Sequence, residues 1–334
     1  MVMPQKLKPL LKLIFSLVII FYLFSRAPIN QVLLALKEVR VSFIVSAGFL
    51  YLLAQVLSSY KWSLLAKPLG FEKRFIDLVF YYFIGMFFNL FMLGSIGGDL
   101  VKAYYLAGNR KWIIPAGYSI FADRYTGGLA LITILSIALL ITYKENTIPY
   151  FIRYPIIAGT IGVWMITIFM PKILHRFSLI KKWGEKINLQ KMKVYWDNPQ
   201  VVRIPLFISF VFQTLFIGII ILVGRGFGIK IPLSYFFIFV PLADLLSVLP
   251  ITLNGMGIRE GCYVFFLHLG GIETSTALAF SLLCLLVVWS VSLLGGIVYL
   301  FALENFEVKD HLYAQQPIKE VGANKPSFDS LRRR

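Results

Sequence analysis

Charge is what this sequence has least of. Asp, Glu, Lys and Arg make up 15% of its 334 residues, where a soluble domain carries about 25%. The mean hydropathy of +0.78 is too high for a chain that must wet its whole surface. A cytosolic enzyme, a secreted disulfide scaffold and a disordered protein are all excluded on this ground. Cysteine is nearly missing as well. Cys262 and Cys284 both sit in apolar surroundings, and neither a CxxC nor a His/Cys cluster is present, so no metal, redox centre or other cofactor is expected. The catalytic signatures GxSxG, Walker loop and HExxH are absent, as is a carboxylate pair with acid/base logic. No polar stretch is large enough to hold a nucleotide. Regular apolar/polar alternation is missing too, which excludes a transmembrane β-barrel.

What the chain has in abundance is long apolar runs. Eight can be marked: Leu10–Phe24, Val41–Ser59, Phe75–Leu93, Tyr125–Tyr143, Tyr154–Met170, Ile204–Val223, Leu233–Leu249 and Thr276–Leu303. The fold class is therefore an all-α, polytopic integral membrane protein. The basic start followed by Leu13–Phe24 resembles a signal peptide, but Pro28 would follow the cut, and the segment is read as an uncleaved first span. Gln31–Val39 reads as a short interfacial helix. Trp112–Arg124 extends the fourth segment as one long helix bent at Pro115.

Two shorter apolar pieces, Asp99–Leu106 and Gly257–Leu269, each follow a glycine-rich break. As helices they reach only about 12 and 20 Å, against a hydrocarbon core of about 30 Å. A helix, a glycine turn and a half-helix describe a re-entrant hairpin. Charge counting supports the description. The chain has 33 Lys and Arg against 16 Asp and Glu. If all eight segments span, and Lys102, Arg124 and Arg259 within the apolar region are left out, Lys and Arg divide 17 inside to 13 outside, and the most basic loop, Pro171–Arg203, lies outside. If the third and seventh fold back as hairpins, the division becomes 23 to 7, as the positive-inside rule prefers. The expectation is six spans and two hairpins, with both termini cytoplasmic. Each half then reads span, span, hairpin, span in opposite senses, an inverted-topology repeat of the kind found in secondary transporters. Residues 1–303 form one membrane domain with pseudo-halves 1–150 and 151–303. Residues 304–334 are expected to be a disordered cytoplasmic tail. The net charge of +17 suits basic loops facing anionic lipid rather than nucleic acid.

Ionisable residues inside apolar segments are costly and point to function. They are Asp99, Lys102, Asp123, Arg124, Asp244, Arg259 and Glu260. Gly97 and Gly98 permit close backbone approach, Asp99 suits a helix N-cap, and the half-helix behind it offers free N–H groups to an anion. Asn254, Gly255 and Gly257 form the second break, after which Arg259 supplies a planar fork for phosphate or carboxylate. If the two tips meet, Asp99 with Arg259 and Lys102 with Glu260 would balance charge, either as a staple or within a substrate site. Asp123 and Arg124, being neighbours on a helix, point in different directions. Asp244 reads as a polar helix contact rather than a proton carrier.

At these motifs the chain resembles a known family. GSIGGDLVKAYYL, AGYSIFADRYTGGLAL and LPITLNGMGIREGCYVFFLHLGG, in that order, are similar to the membrane domain of lysylphosphatidylglycerol synthases, which also occurs alone as a flippase-like domain. The matching positions are Gly97, Gly98, Asp99 and Lys102; Asp123, Arg124 and Gly127; and Gly255, Gly257, Arg259 and Glu260. Lys102 stands where arginine is commoner, which keeps the charge but loses the bidentate fork. The resemblance covers about residues 8–303. It implies a cell-membrane protein that handles polar lipids, without the cytoplasmic domain that transfers an aminoacyl group in full-length synthases. The expected function is that of a lipid translocase whose partners are membrane lipids with phosphate-bearing, anionic headgroups. Lys102 and Arg259 would meet the phosphate. Asp99 and Glu260 would hold those bases or read a cationic headgroup. The alternatives are a membrane-embedded transferase of lipid or glycan assembly, with Asp99 or Glu260 as base, and a non-catalytic partner subunit of such an enzyme.

Overall fold

The computed structural model describes residues 7–92, 97–142, 149–176, 192–248, 252 and 255–313. Among these residues the secondary structure is entirely helical. The α-helices are α1 (Leu7–Arg26), α2 (Ile29–Glu38), α3 (Val41–Ala66), α4 (Phe75–Phe91), α5 (Gly97–Ala107), α6 (Ile113–Ile141), α7 (Tyr150–Arg176), α8 (Lys193–Asp197), α9 (Pro199–Gly226), α10 (Leu233–Ser247), α11 (Ile258–Leu269) and α12 (Thr274–Tyr313).

Five helical stretches among the described residues are long and apolar enough to cross a membrane: Val41–Leu69, Arg110–Ile141, Tyr150–Phe169, Pro199–Gly226 and Thr274–Phe301. The third and seventh apolar segments of the sequence become the shorter helices α4 and α10, of 17 and 15 residues. At 1.5 Å per residue these reach about 25 and 22 Å, short of a full hydrocarbon core. The eight apolar segments of the sequence thus appear as five helices of spanning length, two shorter apolar helices and the 20-residue α1. Pro115 falls in the first turn of α6, where its missing N–H has no helical partner to lose, and the long helix continues from it. At the other end of the chain α12 runs on to Tyr313, past Leu303.

The centre of the molecule is the pairing of α3 with α9. Ala47 and Ala54 of α3 are fully buried, and their small side chains let the two helices approach so that Ile217 and Ile220 fill the space between them. Tyr51 packs on Phe216 with ring centroids 6.1 Å apart. Around this pair the contacts repeat. Helix α4 packs on α12 while α10 packs on α6, and α5 packs on α6 while α11 packs on α12. The pairs α4–α5 and α10–α11 each pack together, and so do α3–α12 and α9–α6. Exchanging α3–α6 with α9–α12 maps every one of these contacts onto another.

Large apolar side chains cover the outside, as lipid requires. Val41, Val45 and Phe49 on α3 and Ile161, Met165 and Ile168 on α7 are all exposed at helical spacing. One end of the molecule is tied together by aromatic contacts. Phe71, after α3, meets Trp112, before α6, at 5.5 Å between ring centroids. Tyr195 of α8 donates its hydroxyl proton to the Leu65 carbonyl at the end of α3. The chain segments around residues 71, 112 and 195 therefore lie at the same end.

The crossing of α4 and α5 is closed by glycine. A Cβ on Gly98 would stand 1.9 Å from the Gly85 carbonyl oxygen, and a Cβ on Gly85 would stand 2.5 Å from the Lys102 stem. Backbone on one side leaves nothing able to move aside. Gly98→Ala should therefore destabilise the protein by about 3 kcal/mol or more. Gly117→Ala, at a helical position where a Cβ meets nothing within 4 Å, should be neutral or stabilising by up to about 1 kcal/mol. Thermal unfolding of the two variants in the same detergent compares them directly.

Candidate functional site

The first half assembles a five-residue charged network. Asp99 lies in the first turn of α5, which begins at Gly97, so the carboxylate sits inside the helix rather than at its cap. The N–H of Gly98 donates instead to Asn89 Oδ1 of α4, 2.8 Å away. One helical turn on, Lys102 Nζ reaches Asp99 Oδ1 at 2.9 Å. From the neighbouring α6, Arg124 takes both oxygens, Nε to Oδ2 at 3.0 Å and Nη2 to Oδ1 at 3.2 Å. This forked geometry is the strongest form a charge-assisted hydrogen bond takes. Asp123 points the other way, as neighbours on a helix must, and pairs with Lys61 of α3 at 3.0 Å. Lys61 also donates to the Asp123 backbone carbonyl at 3.2 Å.

Aromatic rings floor this network. The Lys102 ammonium stands 4.6 Å from the centre of Tyr82 and 5.7 Å from that of Trp62. Each such cation–π contact contributes about 0.5–2 kcal/mol when desolvated. The rings are fixed in turn: Trp62 Nε1 donates to Ser119 Oγ at 3.1 Å, and the Tyr82 and Ser58 hydroxyls share a 2.8 Å hydrogen bond. Lys102 and Lys61 are almost fully buried, whereas the Arg124 side chain is 52% exposed. Arg124 is therefore the member of the network that an incoming group can reach.

The second half has its own latch. Arg259, in the first turn of α11, donates from Nε to Asp244 Oδ1 of α10 at 3.1 Å and from Nη2 to Ser247 Oγ at 3.3 Å. Its side chain is partly exposed. Glu260 is buried and accepts the Gly257 N–H at 2.6 Å, closing the helix start in the manner of a capping box. Gly255 and Gly257 have φ of +76° and +85°, a region that favours glycine. A Cβ on Gly255 would also stand 2.4 Å from that of Ser247, so the same glycine lets α10 and α11 approach. Asn254 lies outside the described residues.

The expected pairing of Asp99 with Arg259 and of Lys102 with Glu260 is corrected by this arrangement. Among the described residues Asp99 pairs with Lys102 and Arg124, and Arg259 pairs with Asp244. The reason is local packing. Each half-helix lies against its own preceding arm and its own following span, and those neighbours supply the counter-charge first. The two latches still face a common element. Tyr51 of α3 lies within electrostatic range of Arg259, Asp244 and Tyr82, and Tyr82 in turn within range of Asp99, Asp123 and Arg124.

Sequence reasoning missed Lys61, Trp62, Tyr82, Asn89 and Ser247. Lys61 stands two residues past the apolar segment Val41–Ser59, and α3 continues through it. A mid-helix Asn89 in an otherwise apolar run was the legible signal for a polar contact at the α5 start. No group of three or more His, Cys, Asp or Glu side chains is placed to hold a metal among the described residues.

Residues 10–296 match the family described as the lysylphosphatidylglycerol synthase TM region. The chain is also similar to two archaeal proteins described as UPF0104 membrane proteins. That of Methanocaldococcus jannaschii is 27% identical over 243 residues, covering 68% of this chain and 100% of the relative. That of Methanothermobacter thermautotrophicus is 23% identical over 295 residues, covering 79% of this chain and 84% of the relative.

The pairing pattern makes a prediction about coupling. Arg259→Gln and Asp244→Asn should each destabilise the protein, because each leaves a partner between α10 and α11 without its counter-charge. Combined, they should fall short of the sum by about 0.5–3 kcal/mol. Asp99→Asn with Arg259→Gln, which share no ion pair, should be close to additive. Thermal unfolding of the two cycles measures both, and strong coupling between Asp99 and Arg259 alone would contradict the latch assignment.

Proposed function

The chain belongs to the lysylphosphatidylglycerol synthase TM region family, and from that premise we propose that it is a flippase-like protein that moves a phosphate-bearing lipid headgroup between leaflets. The observation that carries this reading is the pair of arginine–aspartate latches, one per half, each offering a partly exposed guanidinium at a glycine-bounded half-helix. A guanidinium that grips a carboxylate with a fork grips a phosphate with the same fork. The incoming headgroup takes Arg124 from Asp99, and Lys102 remains beneath as a second positive charge. At the other half it takes Arg259 from Asp244. Acyl or isoprenyl tails stay in the surrounding lipid.

The topology proposed with this function is six spans and two re-entrant hairpins, α4–α5 and α10–α11, in an inverted repeat with both termini cytoplasmic. Three features support it. The arms α4 and α10 are shorter than a full hydrocarbon core. The contacts among α3–α6 and α9–α12 map onto one another when the two sets are exchanged. Phe71 and Trp112 meet although α4 and α5 lie between them, as a hairpin that returns to its own side demands. Broken helices of this kind sit at the substrate site in transporters built from inverted repeats.

Protein reconstituted in vesicles should speed the exchange of a labelled anionic phospholipid across the bilayer. Arg124→Gln and Arg259→Gln should each slow it about tenfold or more, and Arg124→Lys should fall between Arg124→Gln and the unaltered protein. An unaltered protein no faster than empty vesicles with every phosphate-bearing lipid class offered would overturn the reading. The topology has a separate test. In a background with Cys262 and Cys284 replaced, single cysteines at Lys73 and Asp197 should react with a membrane-impermeant reagent from the same side, and one at Lys230 from the opposite side. Labelling of residues 73 and 197 from opposite sides would exclude the hairpins.

A further inference from the structure

Tyr263 is wholly buried, 1% exposed, and its hydroxyl is, among the described residues, one of the few buried side-chain groups without a hydrogen-bond partner. A phenol buried in this way usually finds an acceptor, because leaving one unmet is costly. Nothing about its packing requires the oxygen. The ring sits edge-on to Phe239 of α10 at 5.5 Å and tilted against Phe280 of α12 at 5.9 Å, contacts that phenylalanine would make equally well.

Its position suggests what the hydroxyl is for. Tyr263 follows Arg259 by four residues on α11, so both side chains rise from the same face of that helix. That face meets α10, which carries Phe239 and Asp244. Asp244, Arg259 and Glu260 all lie within electrostatic range of the Tyr263 hydroxyl. In the resting structure Asp244 is held by the Arg259 fork. Ser247, the other nearby hydroxyl, gives its proton to the Asp244 backbone carbonyl at 2.8 Å and so has none left for the carboxylate.

We propose that Tyr263 is the reserve partner of Asp244: when Arg259 turns to an anionic headgroup, the Tyr263 hydroxyl donates to the carboxylate that the arginine has left. Tyr263 is then a positioning residue. It does not touch the lipid, but it keeps the vacated Asp244 from standing unpaired in a low-dielectric setting and so lowers the barrier to opening the latch. The inference deepens the function proposed above, yet its core concerns two conformations of one latch and can be tested without any lipid.

The test is a stability cycle on the purified full chain. Arg259→Met removes the fork and offers Asp244 no new donor. Tyr263→Phe in the unaltered protein should leave the midpoint of thermal unfolding unchanged or raise it, since it deletes an unmet hydroxyl. In the Arg259→Met background the same change should lower the midpoint by roughly 2–4 °C, because the hydroxyl is now engaged. Tyr51→Phe, at the other phenol near Asp244, should show no such reversal. An infrared difference between Arg259→Met and Arg259→Met/Tyr263→Phe should contain the band of a tyrosine donating to a carboxylate, and the same pair with Arg259 intact should lack it. If Arg259→Met does not fold, Arg259→Lys carries the comparison, since an ammonium cannot hold Asp244 and Ser247 together as the fork does. Equal effects of Tyr263→Phe in both backgrounds would overturn the proposal. So would reversal at Tyr51 instead. Failure of lipid exchange with the reversal present would sink the translocase reading and leave the reserve contact standing.

Discussion

A charge inside a lipid-embedded bundle must have a partner, and that requirement organises this molecule. Taking an ion out of water costs several kcal/mol even after the protein relaxes, and only close, well-oriented counter-charge offsets the loss. The chain meets the demand with almost no charge to spare. Lys61, Asp99, Lys102, Asp123 and Arg124 form one group, with one positive charge in excess. Asp244, Arg259 and Glu260 form the other, with one negative charge in excess. Of the two arginines, Arg124 is the more open, its side chain 52% exposed against 29% for Arg259.

The backbone arrangement that makes these pairs follows from glycine at a few positions. Gly85 and Gly98 bring α4 and α5 so close that the stem of Lys102 lies across Gly85. The ammonium is thereby set over Tyr82 and beside Asp99 rather than in lipid. Gly255 does the corresponding work between α10 and α11 and frees Arg259 to reach back to Asp244. The helices repeat between the halves but the charges do not. In the first half the arginine comes from the following span, α6. In the second it comes from the half-helix itself, α11. A shared scaffold thus carries two latches of different construction.

Much of this was legible in the sequence because the membrane makes charge rare. Asp99, Lys102, Asp123, Arg124, Asp244, Arg259 and Glu260 stand out in apolar runs, and the structure gives each a partner. The glycine breaks were legible for the same reason, as interruptions that lipid does not tolerate without cause. Partner choice was not legible. It depends on which helices pack, and a residue 25 positions away on α6 reaches Asp99 while Arg259 on the other half-helix does not. Lys61 was hidden because the end of an apolar run does not reveal whether its helix stops there or continues one more turn into the core. The exact lengths of α4 and α10 were hidden too, since composition marks where apolar residues end and not where the helix turns.

The resting latches bear on how any anion could be moved. A guanidinium held by both oxygens of Asp99 is already satisfied, so a phosphate gains only the difference between two similar contacts. Under the proposed function, binding at rest would then be weak, as release of the headgroup requires. Under the proposed exchange the displaced carboxylate would set the height of the intermediate state, because with a side chain 16% exposed it has little access to water when its arginine departs. Lys102, 2.9 Å from Asp99 Oδ1, remains to hold it in the first half. No second cation stands beside Asp244 among the described residues, so the second half must meet the same demand with a neutral donor or open at greater cost. Under the proposed exchange, the half with the standing lysine would open more readily than one that must rely on a neutral donor.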